Sequence, residues 1–417
     1  MPALNTLSTD ARLRLAQATT WFTARTGDHV TRLLHHPWRT DPYPTHRRMR
    51  AQGPFITSRL GFLTATTHDA VQHVLRDRTF GVRPFDPADA PPGLDVLDLS
   101  FLTRNPPEHT RLRALARPAF SPRHLERYAV QIEEIAHELL DKALAKGRFD
   151  LMTDFAQPLP IIVITRLLGI PDDDHAAFVA LGETIGSSLD GPRSARHLRR
   201  IHTAAAHLDT MFDRLMAQRR ADPRDDVIST LTAATDEGGL TPADMRSMCR
   251  LLLIAGFETT VNLIGNGTAA LLRHRSQWDR LIADPDLAGN AVEEILRYDP
   301  PVQMTSRWAG HDTSILGHGV RRGQYVLCLI ASAGRDPDHY TDPDRFDITR
   351  ADASDHLAFS GGIHYCLGAP LARLEGRIAL RALAARAPHL RPAGTPAHRP
   401  TTTLRALRSF PVTTEEG

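Results

Sequence analysis

The chain has 417 residues, 41% hydrophobic and 24% charged, so it can bury a large core, and a formal net charge of +2 is too near balance for a nucleic-acid binder. Its longest apolar runs, Leu251–Gly256 and Pro160–Ile164, are too short to cross a bilayer, and no signal-like apolar block opens the chain, which predicts a protein without a membrane anchor. Cys249, Cys328 and Cys366 lie far apart and form no CxxC pair, which argues against a disulfide framework or a zinc knuckle and favours a reducing, cytoplasmic compartment.

Residues 1–40 read as a polar, Arg-bearing lead-in. From Tyr43 a short helix is predicted, stopped by Gly53-Pro54. The runs Phe55–Ser58 and Phe62–Ala65 flank Gly61 and predict a hairpin, and the Pro-, Gly- and Asp-rich stretch Gly81–Ser100 predicts a long loop bordering a site. From about Pro107 to Arg297 the periodicity is helical, broken at Gly147, Gly169-Ile170-Pro171, Gly191-Pro192 and Asp222-Pro223. At the start of this stretch His109 and Arg113 stand four apart on one helical face, a spacing that suits the grip of a single anion.

Within the helical stretch, Ala255-Gly256-Phe257-Glu258-Thr259-Thr260 sets a carboxylate beside a hydroxyl. A threonine can hydrogen-bond the carbonyl four residues back, here Ala255, and Gly256 removes a side chain where a small ligand could sit. An acid and an alcohol side by side can relay protons. Gly265-Asn266-Gly267-Thr268-Ala269-Ala270 matches Gly-x-Gly-x-x-Ala but sits inside a helix after no strand, so a dinucleotide fingerprint fails on context and close helix packing is expected instead. Glu294 and Arg297, three apart, can pair locally.

After Pro300-Pro301 the runs Ser314–Leu316 and Tyr325–Ile330 predict a small β lobe. A meander from Asp336 to Asp347 follows, then a last helix beginning near Cys366 and a β-like tail through Phe410-Pro411-Val412. No internal repeat or low-complexity linker divides the chain, so residues 1–417 are read as one domain. The turn Phe359-Ser360-Gly361-Gly362-Ile363-His364-Tyr365-Cys366-Leu367-Gly368 delivers one cysteine to a helix start. Free N–H groups and the positive dipole end stabilise a thiolate there.

The pattern Phe-x-x-Gly-x-His-x-Cys-x-Gly of residues 359–368 resembles the cysteine-ligand loop of the cytochrome P450 family. With the other motifs in order, the resemblance spans about Tyr43 to Val412. It implies a mainly α fold, a triangular helical prism with a small β-rich lobe, in a soluble bacterial-type haem-thiolate monooxygenase. Cys366 would ligate the iron of haem b, with Phe359 near the sulfur and Gly368 closing the loop. Ser360 stands where many bacterial members carry glycine. His109, Arg113, Arg307 and His364 would meet the haem propionates, although Asn105 replaces the usual Asp ahead of His109. Ala255 and Gly256 would border the haem, Glu258 and Thr259 would serve as the acid–alcohol relay, and Glu294, Arg297 and Arg345 would form a structural cluster holding the meander. In that meander Gly334 stands where Asn is common.

By the same resemblance, Leu252, Val302, Gln303 and Met304 would line a pocket for a lipophilic small molecule. The reaction implied is insertion of one oxygen atom from O2, by hydroxylation or epoxidation, possible in secondary-metabolite tailoring. Electrons would come from a separate ferredoxin and its NAD(P)H-dependent reductase, because the chain holds no flavin or nicotinamide domain. Arg111, Arg117, Arg373 and Arg377 are candidates for docking the acidic ferredoxin. A peroxide-dependent haem-thiolate enzyme and a non-catalytic haem sensor remain the alternatives.

Overall fold

The computed structural model describes residues 8–86 and 97–415. The lead-in is more ordered than its polar composition predicts. Helix α1 (Thr9–Arg25) is capped by Ser8, whose side chain accepts from the Ala11 N–H, and α2 (His29–Arg32) by Asp28, which accepts from Thr31. Apolar periodicity misses α1 because it packs little: Trp21 and Phe22 are exposed. Polar bonds hold it instead, as Asp10 accepts from the Ala195 N–H at 2.6 Å and Gln17 donates to the Arg193 carbonyl at 3.2 Å.

Helix α3 (Tyr43–Arg50) leads into the expected hairpin of β1 (Phe55–Thr57) and β2 (Leu63–Ala65), with Gly61 at φ +83° in its turn. Next come α4 (His68–Arg76) and β3 (Phe80–Gly81). Of the long loop expected over 81–100, residues 87–96 lie outside the described residues. Its first part is tied down by Asn105, whose amide oxygen accepts from Val82 at 2.9 Å while its NH2 donates to the Arg83 carbonyl at 3.0 Å. A carboxylate could accept but not donate there, so the departure from Asp has a use.

The helical half contains α5 (Glu108–Ala116), α6 (Pro122–Leu144), the short strand β4 (Arg148–Asp150), α7 (Pro158–Leu168), α8 (His175–Gly186), α9 (Ala195–Ala221), α10 (Val227–Asp236), α11 (Pro242–Arg273), α12 (Arg275–Ala283) and α13 (Ala288–Tyr298). Helix α11 starts on a reciprocal capping box between Thr241 and Asp244, with Pro242 in the first turn, and runs 32 residues, about 48 Å at 1.5 Å per residue. By length and composition it could cross a membrane, but most of it is buried inside this molecule. Such an all-round apolar helix belongs at the centre of a large core. Its glycines are where helices meet: a Cβ on Gly267 would come within 2.6 Å of Ile295 on α13.

The β lobe adds β5 (Thr305–Ala309), β6 (Thr313–Ile315), β7 (His318–Val320), β8 (Tyr325–Cys328) and the short α14 (Ile330–Ala333). One five-stranded sheet runs β1-β2-β8-β5-β3, with β2 and β8 parallel and the other pairs antiparallel. Leu63, Val71, Val74, Ile315 and Val326 pack on it as a second core beside the large helical one. Helix α15 (Ala369–Arg386) begins three residues after Cys366, with Gly368 as N-cap, and packs on α6, α11 and α13. The tail forms β9 (Arg391–Pro392), β10 (Ala397–His398), β11 (Leu407–Ser409) and β12 (Pro411–Thr413), the last pairing with both β4 and β9. The result is a mainly α fold with a small β lobe.

Candidate functional site

The cysteine turn is closed by its own backbone. The Cys366 N–H donates to the Phe359 carbonyl at 2.8 Å, and the Ser360 N–H to Leu357 at 2.8 Å. Gly362 has φ +61°, and a Cβ there would lie 2.5 Å from the Leu75 carbonyl at the end of α4, so only glycine fits. Ser360 also sits in the left-handed region at φ +63°, which explains why glycine is usual there. Here the serine is offset by a contact that glycine cannot make: its Oγ accepts from Arg307 at 3.1 Å.

Cys366 is exposed as a residue, yet protein crowds its sulfur. Burial pushes the thiol up, while the Gly368 N–H, Arg113, Arg373 and the Ala369 N–H pull it back. The thiol stands exposed in the turn, open to a small group, at the positive pole of α15. Phe359 is buried beneath the turn with the Arg373 guanidinium 4.5 Å above its ring, and Arg373 is fixed by Glu293 at 2.7 Å.

Basic groups gather on one side of this turn. The rings of His109 and His364 lie 4.3 Å apart, Arg113 donates to the Tyr365 carbonyl at 2.6 Å, and Arg307 reaches Ser360 from β5. Arg307 is only 3% exposed and makes no ion pair among the described residues. Both nitrogens of buried His109, and Nε2 of His364, lack a hydrogen-bond partner. Burial, reinforced by Arg307, His109 and Arg113, lowers His364 to about 3. Burial and Arg113 lower His109, opposed by the Ile363 backbone, which completes no hydrogen bond to it. A buried guanidinium beside orphaned imidazole nitrogens is costly unless an anion meets them.

On α11, Thr259 donates to the Ala255 carbonyl at 2.9 Å, as its spacing predicts. Ala255 is exposed and Gly256 and Thr259 are half-buried, while Leu251–Ile254 and Val261–Leu272 are buried; the helix thus opens along one face at this motif. The expectation for Gly256 needs correction. A Cβ there would strike Ile164 on α7 at 2.8 Å, so its missing side chain admits a neighbouring helix rather than a ligand. Glu258 points elsewhere than Thr259. It is 7% exposed, its carboxyl is raised by burial, and Arg399 opposes that rise from 3.4 Å.

The Glu294–Arg297 pair is fully buried with a shortest contact of 2.6 Å, not the surface pair that spacing alone suggests. All five guanidinium N–H groups of Arg297 are used: two by Glu294 and three by the carbonyls of Gly334, Pro343 and Arg345. The third member differs from expectation. Arg345 contributes only its carbonyl, and its side chain is exposed against Asp347, whereas Arg350 approaches Glu294 at 3.6 Å and donates to the carbonyls of Thr341 and Asp342. Gly334 is obligatory, because any Cβ would collide with the Arg297 carbonyl.

A family model for cytochrome P450 matches residues 39–386. The biotin biosynthesis cytochrome P450 of Bacillus subtilis is 38% identical over 384 residues, covering 90% of this chain and 96% of that protein. The cytochrome P450 monooxygenase PikC of Streptomyces venezuelae is 39% identical over 402 residues, covering 92% and 94%. The crystal structure of P450BioI with a fatty-acid-ligated acyl carrier protein superposes with a TM-score of 0.85 at 38% identity, over 91% of this chain and 99% of that one.

The chain belongs to the cytochrome P450 family. It is a monooxygenase of that family with the family's fold and its cofactor, haem b bound through a cysteine thiolate. The residues present fit that cofactor: an open thiol at a helix N-terminus for the iron, and orphaned His109 and His364 with uncompensated Arg307 for two carboxylates. Bound haem supplies the redox centre at which dioxygen is activated.

The expected substrate lining is only partly assembled. Leu252 is buried in the helical core, and Val302 is half-buried and bridged to Leu404. Met304 packs with Val30, Leu33, Met49 and Leu329, and Gln303 donates to the Pro300 carbonyl at 2.7 Å. Gln303 and Met304 line a cavity together, but Leu252 and Val302 are not part of its wall, so the four expected lining residues do not share one pocket. Sequence reasoning missed Arg350 and Arg399, since their partners lie on distant helices and no local spacing signals them.

Proposed function

We propose that this P450 inserts one oxygen atom of O2 into a lipophilic small molecule, by hydroxylation or epoxidation, in the cytoplasm, with electrons from a ferredoxin and its NAD(P)H-dependent reductase. The observation that carries the reading is the meeting, at one turn, of the Cys366 sulfur and a basic cradle whose Arg307, His109 and His364 pair with no carboxylate among the described residues. Cys366 would hold iron; His109, Arg113, Arg307 and His364 would hold the propionates. Thr259, on the open face of α11, would hold a proton at its Oγ. Glu258, raised by burial toward the protonated form, would pass protons inward from the Arg399 side.

The relatives support a substrate of the acyl or polyketide kind. One acts in biotin biosynthesis, another in polyketide biosynthesis, and the solved structure of CYP267B1 holds myristic acid. Docking of the redox partner narrows to two of the four candidate arginines. Arg111 is bound to Asp244 at 2.8 Å and Arg373 to Glu293, whereas Arg117 and Arg377 are exposed. Charge reversal of Arg117 and Arg377 should slow reduction by ferredoxin severalfold and flatten its salt dependence; unchanged rates would rule this face out.

The first test is the reduced carbon monoxide difference spectrum of wild type and Cys366→Ala. A long-wavelength Soret band that disappears in the variant supports the ligand assignment. An imidazole-type spectrum in the wild type overturns it. The Glu258–Thr259 pair favours O2 over peroxide as oxidant: Thr259→Val should uncouple NAD(P)H use from product while leaving peroxide-driven turnover nearly intact. Equal loss of both would point to a different role for Thr259.

A further inference from the structure

A cavity of about 220 Å3 lies between the segment around α2 and α3 and the tail carrying β10, walled in part by His36, Arg39, His46, Gln303, Arg399 and Leu404. Neither Cys366, Thr259 and Ala255 nor the basic cradle is part of its wall. An interior cavity of about 150 Å3 accepts a benzene ring, so this one has room for a ring and a charged substituent.

Its charge is one-sided. Three arginines and three histidines line it and no carboxylate does. Arg405 is neutralised by Asp299 at 2.8 Å, but Arg39 makes no ion pair among the described residues and gives one hydrogen bond, to the Leu34 carbonyl. Among the described residues the Arg399 side chain has only the 3.4 Å contact to Glu258.

Two buried side chains in the wall are unfinished. His46 is 1% exposed, held edge-on by Tyr43 at 5.8 Å, and neither ring nitrogen has a partner. Gln303 is 5% exposed and its Oε1 is likewise free. Burial, then Arg50, Arg335 and Arg405, keep the His46 imidazole neutral, so it offers one donor and one acceptor. Buried polar atoms are almost always paired, and here the missing partners must combine an anion for the arginines with a hydroxyl for the two acceptors.

We propose that this cavity is a second ligand site, taking a small ring-bearing carboxylate that also carries a hydroxyl. The ring would lie against Leu33, Met304 and Leu404, and the carboxylate on Arg39 and Arg399. Because Arg399 also touches Glu258, the occupant and that carboxylate share one guanidinium.

The test is isothermal titration of the haem-loaded protein with 4-hydroxybenzoate, with the Soret band recorded in parallel. The expected result is saturable one-to-one binding without a Soret shift, weakened at least tenfold by Arg39→Gln and by Arg399→Gln and unchanged by the exposed-site variant Arg408→Gln. Should Arg399→Gln fail to fold, Arg39→Gln alone carries the test. Absence of saturable binding, binding indifferent to Arg39→Gln, or a Soret shift that tracks the heat each overturns the proposal. Equal affinity for inorganic phosphate overturns the ring-carboxylate assignment in favour of a plain anion hole.

Discussion

Two buried clusters of charge are built in opposite ways. Around Glu294, five donors of Arg297 meet five acceptors, and Glu294 also accepts from the Asp347 N–H at 2.8 Å. Around half-buried His364, His109 and Arg307 are buried, with imidazole nitrogens unpartnered and the guanidinium charge unbalanced. A buried charge that the protein satisfies by itself is holding structure, and one that it leaves open is holding a place for a ligand. The contrast separates the scaffold from the site without reference to any relative.

The largest effect should come from breaking the closed cluster. Glu294→Ala leaves Arg297 buried and charged without its counterion, and chemical denaturation should show a loss of about 3–5 kcal/mol or failure to fold. Next, Arg350→Ala should cost about 1.5–3 kcal/mol, because it removes charge-assisted bonds to two meander carbonyls. Arg345→Ala should stay within about 0.5 kcal/mol. Equal effects of the two arginines would undo the assignment of Arg350 as third member.

The open cluster should respond to ligand rather than to truncation. Arg307→Ala should leave the haem-free protein as stable as wild type or more so, yet speed haem loss at least tenfold in a haem-transfer assay. Its pH behaviour follows from His364. The folded value near 3 lies below the ordinary 6.5, so the unfolded chain binds the extra proton between those limits. Stability of the haem-free protein should therefore fall as pH drops from about 6.5 toward 3. Carboxylates in the cradle would relieve the Arg307 and Arg113 contribution though not the burial, so the haem-loaded protein should show a shallower slope in denaturant titrations across that range.

A small net effect is expected of Ser360→Gly at the turn itself. It relieves a left-handed residue, worth about 1–2 kcal/mol, and removes a hydrogen bond from Arg307, worth about 1 kcal/mol. Thermal melts should then agree within about 1 kcal/mol, and a larger loss would mean that Ser360 positions Arg307.

Much of this was legible in the sequence, because motifs with fixed local spacing carry their geometry with them. The Thr259–Ala255 bond, the Phe359–Cys366 turn and the hairpin about Gly61 are set by neighbours in the chain. What the sequence withheld was settled by tertiary contact. Nothing in Arg345 or Arg350 says which one faces Glu294, nothing in Gly256 says that Ile164 fills its space, and Gln303 and Met304 line a cavity whose wall does not include Leu252 and Val302. Helix α1 escaped notice because polar bonds tie it down and its large apolar residues Leu15, Trp21 and Phe22 face solvent.

Glu293 and Glu294 are neighbours on α13, separated by roughly 100° around the helix. The first reaches Arg373 and His356 at the cysteine turn, and the second reaches Arg297 and Arg350 at the meander. One helical phase therefore sets the register of both the ligand loop and its support. A single-residue insertion in α13 ahead of them would rotate both carboxylates together, so this stretch should accept substitutions at its surface while refusing any change of length.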